Sequence, residues 1–286
     1  MTIRLPFLWA ACLGMLTGSA AAQFDPVAGE WGKTEPTDIR VMTFNVQDGI
    51  CRTANKSSTN NDWNALVRIV AAMQPDVLLL QEAGDNSGNG TGGGGDSVGQ
   101  LEDTVRLFFD GGPDPFNGGA MVDQYVQLYR PGYTLPHVFV SSSSDGFNRN
   151  VIVSRWPFVD INGDSKPVVS SFSTSFGDSG VRGIQAAEIG LPSETYRGDL
   201  VVFNGHLKAF GDADSRAQRI EAGTALATYI WNFYEGAGTG SVDPNNLVSD
   251  FPPAQTVAGP DTAIVWGGDF NEDELTNGRD GPVAIS

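Results

Sequence analysis

The sequence has 286 residues, enough for one large domain or two small ones around a sizeable core. Its 40% hydrophobic content and 36 glycines suit a loop-rich globular protein and exclude a disordered chain. A formal charge of −17 opposes general electrostatic attraction to nucleic acid. It does not exclude a nuclease, because divalent cations can reverse the local sign of a carboxylate-lined cleft.

Residues 1–22 read as an export signal. Arg4 makes a short positive n-region, residues 5–16 a mostly apolar h-region, and Ala20, Ala21 and Ala22 an A-x-A cleavage site before Gln23. The apolar stretch is short for a spanning helix, so no stable membrane span is expected after cleavage. A lipoprotein anchor on Cys12 fits poorly, since Trp9 stands where an aliphatic residue is expected. The expected location is secreted or periplasmic, and the expected state a monomer. Cleavage would leave Cys51 as the only cysteine, so no internal disulfide can form. With no Cys/His cluster and only His137 and His206 in the chain, a structural zinc site is not expected.

Residues 23–38 contain Pro26 and Pro36 and no clear period, and read as a lead-in segment before a domain spanning 39–286. Residues 39–45, IRVMTFN, form a strand candidate ending in the carboxamide of Asn45. After a polar loop, Asp62 can cap a helix over 63–73, with Trp63, Leu66, Val67 and Val70 on one face; Pro75 stops it. Residues 76–81, DVLLLQ, read as a buried strand that delivers Glu82, a carboxylate needing a partner, a metal or solvent. Residues 84–99 are dominated by Gly, Asn, Ser and Asp. The run GGGGDS lacks the ending of a phosphate-binding P-loop, so this is a surface loop or insertion.

A second helix is expected over 101–109, ended by Gly111, Gly112 and Pro113. Strands are expected at 125–129, 137–141, 150–154, 183–191 and 199–203, with 192–198 as a hairpin connection. His137 follows Pro136 and reads as structural. Beyond the strand at 199–203, Asn204 and His206 share one face. Asp214 or Ser215 can cap a helix over 216–234, with Ile220, Ala227 and Ile230 inward. Residues 235–262 read as a loop. The apolar run 263–266 then suits a strand buried in a sheet, followed by two glycines, Asp269 and Asn271. Two positions apart in extended chain, that carboxylate and carboxamide point to one face and suit a metal-bound water beside a phosphate.

Four apolar strands thus end in chemistry-bearing residues: Asn45, Glu82, Asn204 with His206, and Asp269 with Asn271. Four different groups at four strand ends suggest convergence on a metal- and phosphate-binding cleft.

The segments VMTFNVQDG, PDVLLLQEA, NVIVSRWPF, VRGIQAAEI, FNGHLKAF and GGDFNEDE resemble, in order and spacing, the endonuclease/exonuclease/phosphatase superfamily over residues 39–274. The resemblance implies an α+β fold: a four-layered α/β/β/α sandwich of two mainly antiparallel sheets. It implies hydrolysis of phosphodiesters or phosphomonoesters by metal-assisted attack of water, with Mg²⁺, or Mn²⁺ or Ca²⁺, as cofactor. By the same resemblance Glu82 would be the main metal ligand and Asn45 a ligand or orienter. Asp269 would position or activate the water, Asn271 would hold the phosphate, and His206 would bind phosphate or assist the leaving group. The partner would be a phosphate-ester substrate, with DNA, RNA, phospholipid head groups and small esters as candidates and a nuclease as the first choice. The resemblance also calls for a further Asp-bearing strand and a terminal Ser-Asp-His or similar. No histidine follows His206, so the expectation is a partial domain lacking its C-terminal strands. The alternative is a degenerate binding or scaffold protein that kept the fold.

Overall fold

The structure is a computed structural model that describes residues 33, 35–47, 50, 56, 61–84, 97–141, 149–159, 169–170, 184–235 and 260–272. The export signal, Cys51 and most of the Gly-rich stretch lie outside the described residues. The chain divides into two units, residues 1–38 and 39–286. In the first, the described residues form a turn in which the Asp38 N–H donates to the Glu35 carbonyl.

The described elements of the second unit, in order, are β1 (Val41–Asn45), α1 (Asp62–Met73), β2 (Val77–Gln81), α2 (Val98–Asp110), β3 (Gly112–Pro113), β4 (Met121–Val122), α3 (Tyr125–Tyr129), β5 (His137–Val140), β6 (Val151–Ser154), β7 (Val169–Ser170), β8 (Ile184–Ile189), β9 (Leu200–His206), α4 (Ala213–Glu235) and β10 (Ala263–Asp269). Two four-stranded sheets run in the orders β1-β2-β6-β5 and β10-β9-β8-β7. Both are mainly antiparallel, and each carries one parallel pair at an edge, β1 with β2 and β10 with β9.

Alternation along the strands builds the layers. Val77, Leu79, Ile152 and Phe139 of the first sheet meet Ala187, Ile189, Leu200 and Val202 of the second in one buried cluster. The opposite face of the first sheet, with Leu78, Leu80, Val138, Val140, Val151 and Val153, packs on residues of α1, α2 and α3. The opposite face of the second, with Ile184, Ala186, Val201 and Phe203, packs on Ala225 and Leu226 of α4. Helix, sheet, sheet and helix give the expected four-layered sandwich. Each fully buried Val, Leu, Ile or Phe side chain in these layers contributes about 1.5–3 kcal/mol.

Local chemistry sets the element ends, with some corrections to the expectations. Asn61, not Asp62, caps α1, its side chain accepting from the Asn64 N–H at 2.9 Å. α2 begins at Val98 because Ser97 and Gln100 form a capping box. Asp212, not Asp214 or Ser215, caps α4, accepting from the Ser215 N–H at 2.9 Å and from its hydroxyl at 2.7 Å. On α4 the buried apolar side chains are Ala222, Ala225 and Leu226, with Ile230 partly buried against them, whereas Ile220 is exposed. Residues 125–129 form a helix, not a strand. YVQLY is rich in strand-forming residues, but burying Tyr125 and Val126 under the other helices overrides local propensity in five residues. β10 is half-exposed rather than buried, since its one strand neighbour among the described residues is β9.

Candidate active site

Strands β1, β2, β9 and β10 end at one place. Along their inward faces the side chains change from apolar to polar in the same direction: Val41 to Asn45, Val77 to Gln81, Leu200 to His206, Val265 to Asp269. The two parallel pairs bring this about, because parallel neighbours put like ends together. In register, Asn45 stands opposite Gln81, and Asp269 opposite His206.

The structure brings Asn45, Glu82, His206 and Asp269 together, with the two carboxylates as the common partners of Asn45 and His206. The amide nitrogen of Asn45 donates to Glu82 Oε1 at 3.0 Å and to Asp269 Oδ2 at 2.8 Å. Its Oδ1 accepts from the Gln47 N–H at 3.0 Å, which fixes the way the amide faces. His206 is buried, and its Nε2 lies 3.5 Å from Glu82 Oε1 and 3.9 Å from Asp269 Oδ2. One ligand atom from each of Glu82, His206 and Asp269 falls within 4.8 Å of the others.

Backbone geometry makes the convergence possible. Glu82 has φ +56°, a left-handed conformation that a residue of this type enters at a cost of about 1–3 kcal/mol. That turn takes the chain out of β2. Gly267 and Gly268 let β10 lie close to its neighbours. A Cβ on Gly267 would stand 2.8 Å from Leu79 Cδ1, and one on Gly268, whose φ is +146°, 1.9 Å from the Gly205 carbonyl oxygen.

Alternation does not reach Asn271, because β10 stops at Asp269 and Asn271 turns left-handed at φ +52°. Its N–H donates to Asp269 Oδ1 at 3.0 Å, and its side-chain amide to the Leu207 carbonyl at 2.9 Å. It therefore braces Asp269 against the end of β9. The segment after His206 is held too: fully buried Arg219 donates to the carbonyls of Lys208 at 2.8 Å and Phe210 at 2.7 Å.

Asn204, grouped with His206 in the sequence, does not enter the cluster. It is fully buried between the sheets and bonds to the first sheet. Gln81, its partner, escaped notice because it reads as the polar end of DVLLLQ; its inward register was the available signal.

Two carboxylates aimed at one point, with an imidazole nitrogen beside them, form a donor set suited to a divalent cation. Ligands of one ion can stand at most about 4.2 Å apart, twice a bond of about 2.1 Å. The two His206 separations meet that limit, whereas the set as a whole is bounded only at 4.8 Å, so the carboxylates would draw in around an ion.

Among solved structures, the chain is similar to a humanized TDP2 of D. rerio, at 13% identity and TM-score 0.42, covering 84% of this chain and 69% of that one. It is similar to a β-hairpin deletion mutant of β toxin from Staphylococcus aureus, at 15% identity and TM-score 0.45, covering 87% and 73%. It is also similar to sphingomyelinase C from Streptomyces griseocarneus, at 13% identity and TM-score 0.40, covering 86% and 68%. A search of curated proteins returned no match. The model of the Endonuclease/Exonuclease/phosphatase family matches residues 42–282, a span that holds all four converging strand ends, and the chain belongs to that family.

Proposed function

We propose that the chain is an exported, divalent-metal-dependent hydrolase of phosphoric esters, with phosphodiesters as the first substrate class. The observation that carries the reading is the convergence of Glu82, His206 and Asp269 from both sheets, with the Asn45 amide between the carboxylates. Glu82, His206 and Asp269 would hold Mg²⁺ or Mn²⁺, which when bound supplies positive charge against a phosphate oxygen. Family resemblance gives His206 to the phosphate or the leaving group; its separations from both carboxylates support a place in the metal set as well.

Asp269 would orient the attacking water and accept its proton, with its carboxylate held by Asn45 on one oxygen and the Asn271 N–H on the other. Asn271 would contact the phosphate from the turn that braces Asp269. Asn45 would hold the two carboxylates at a fixed separation.

The test is hydrolysis of bis(p-nitrophenyl) phosphate by the exported chain with Mg²⁺, Mn²⁺ and Ca²⁺ and with chelator. Metal-dependent turnover that Asp269→Ala abolishes is expected; turnover indifferent to chelator and to Asp269→Ala would overturn the reading. Export is tested by N-terminal sequencing of the secreted product, which is expected to begin at Gln23.

A further inference from the structure

We infer that Asn204 is a positioning residue: from inside the interface between the sheets, it sets the separation at which Glu82 meets His206 and Asp269, and so governs metal affinity. The inference rests on the metal-dependent reading above.

Asn204 stands on β9 two residues before His206, in register with Gly267, itself two residues before Asp269. It is fully buried, and its side chain crosses to the other sheet. Nδ2 donates to the Leu80 carbonyl at 2.9 Å and the Val151 carbonyl at 3.0 Å, and Oδ1 accepts from Gln81 Nε2 at 2.7 Å. Leu80 and Val151 are the last registered pair of β2 and β6. The amide thus enters where that ladder ends and β2 leaves for the left-handed turn at Glu82.

The residues around it act in the same direction. Asn150 Nδ2 donates to the Asn204 carbonyl at 3.3 Å, and Gln185 Nε2 on β8 donates to the Phe139 carbonyl on β5 at 2.9 Å. Gln81 Nε2 also donates to Thr43 Oγ1 at 3.1 Å, which joins β1 to the network. Polar side chains therefore cross between the sheets in both directions, between the apolar layer and the carboxylates.

Apolar packing draws two sheets together without direction, so alone it leaves some freedom to slide. Hydrogen bonds to backbone carbonyls weaken steeply with distance and angle, so they fix the registration of one sheet on the other. Leu80 precedes Glu82 by two residues and Asn204 precedes His206 by two. An error in registration therefore passes almost undiminished to the ligand atoms. Partners that hydrogen-bond metal ligands directly typically change affinity by about 10–100-fold, and the lower end of that range is expected of Asn204, which acts one step further out.

The test is Mn²⁺ titration of the full chain by calorimetry, read with the thermal midpoint of each variant. Asn204→Leu is expected to raise the Mn²⁺ dissociation constant about 10-fold. Lys56→Met serves as control: it breaks the buried Lys56–Asp114 pair, a 2.6 Å contact that involves none of the site residues, and is expected to lose stability while binding Mn²⁺ as the parent does. Should Asn204→Leu fail to fold, Gln81→Met removes the bond to Asn204 Oδ1 and is expected to weaken binding in the same sense. Parent affinity in whichever variant folds, or an equal loss in Lys56→Met, would overturn the inference and leave the proposed function standing. A parent chain that binds no Mn²⁺ would overturn both.

Discussion

The carboxamide of Asn45 donates to the carboxylate of Asp269 at 2.8 Å, joining the last residue of a strand in one sheet to the last residue of a strand in the other. The same nitrogen holds Glu82, so one group sets how far apart two negative charges sit. Asn45→Ala is expected to lower Mg²⁺ and Mn²⁺ affinity by about 10–100-fold with the fold intact. Calorimetric titration beside far-ultraviolet circular dichroism checks both halves of that statement.

Glu82 joins a function to a strained backbone. Its φ of +56° suits Asn far better than Glu, and its carboxylate is one of the three groups that would hold the ion. Glu82→Asn is expected to abolish Mn²⁺ binding while leaving the apo chain about 1 kcal/mol more stable than Glu82→Ala does. Denaturant unfolding without metal measures the second effect, and titration the first. Because the Asn45–Glu82 hydrogen bond is lost as well, Glu82→Ala is the comparison, and an Asn variant no more stable than the Ala variant would show that the turn is not strained.

Gly267 and Gly268 are neighbours with unequal tolerance. An added methyl on Gly267 meets the end of the Leu79 side chain, which can move, whereas one on Gly268 meets the Gly205 backbone at a φ that L-residues rarely adopt. Gly268→Ala is expected to cost about 3 kcal/mol or more, and Gly267→Ala about 1–2 kcal/mol. Urea midpoints of the two variants give the comparison.

The buried Glu188 carboxyl is pushed above the usual carboxylate range, first by burial and second by the Asp199 charge nearby. Between the unfolded value and that raised folded value, the folded chain keeps a proton that the unfolded chain has lost. Stability therefore falls as pH rises through that window, and is fully present below it. Glu188→Gln cannot ionise, so it is expected to flatten that limb and to be more stable than the parent at neutral pH. Unfolding midpoints from about pH 4 to about pH 8 test this.

The fold was legible where strands ran apolar and ended polar. Residues 76–81 and 150–154 announce themselves because a buried strand needs a continuous apolar run; 263–266 does so too, although its strand is half-exposed. The convergence of Asn45, Glu82, His206 and Asp269 was legible because each breaks such a run at its end. Residues 125–129 misled because local propensity in five residues is weaker than the packing of Tyr125 and Val126. The identity of α4's cap was hidden because Asp212, Asp214 and Ser215 all have capping chemistry and differ only in where the chain turns. The separate fates of Asn204 and His206 were illegible in principle: both face inward from β9, and what each meets depends on strands more than 50 residues away.

The order in which the chain is made gives the sheet arrangement a further consequence. Asn45 and Asp269 are separated by 224 positions, and the half of the cluster on β1 and β2 is synthesised long before the half on β9 and β10. No stretch of nascent polypeptide that ends before β10 can assemble the charge cluster, however well its first sheet has formed. Closing so long a loop comes late in folding as well as late in synthesis. The cluster of Glu82, His206 and Asp269 then comes together in a single late step, when β10 aligns beside β9.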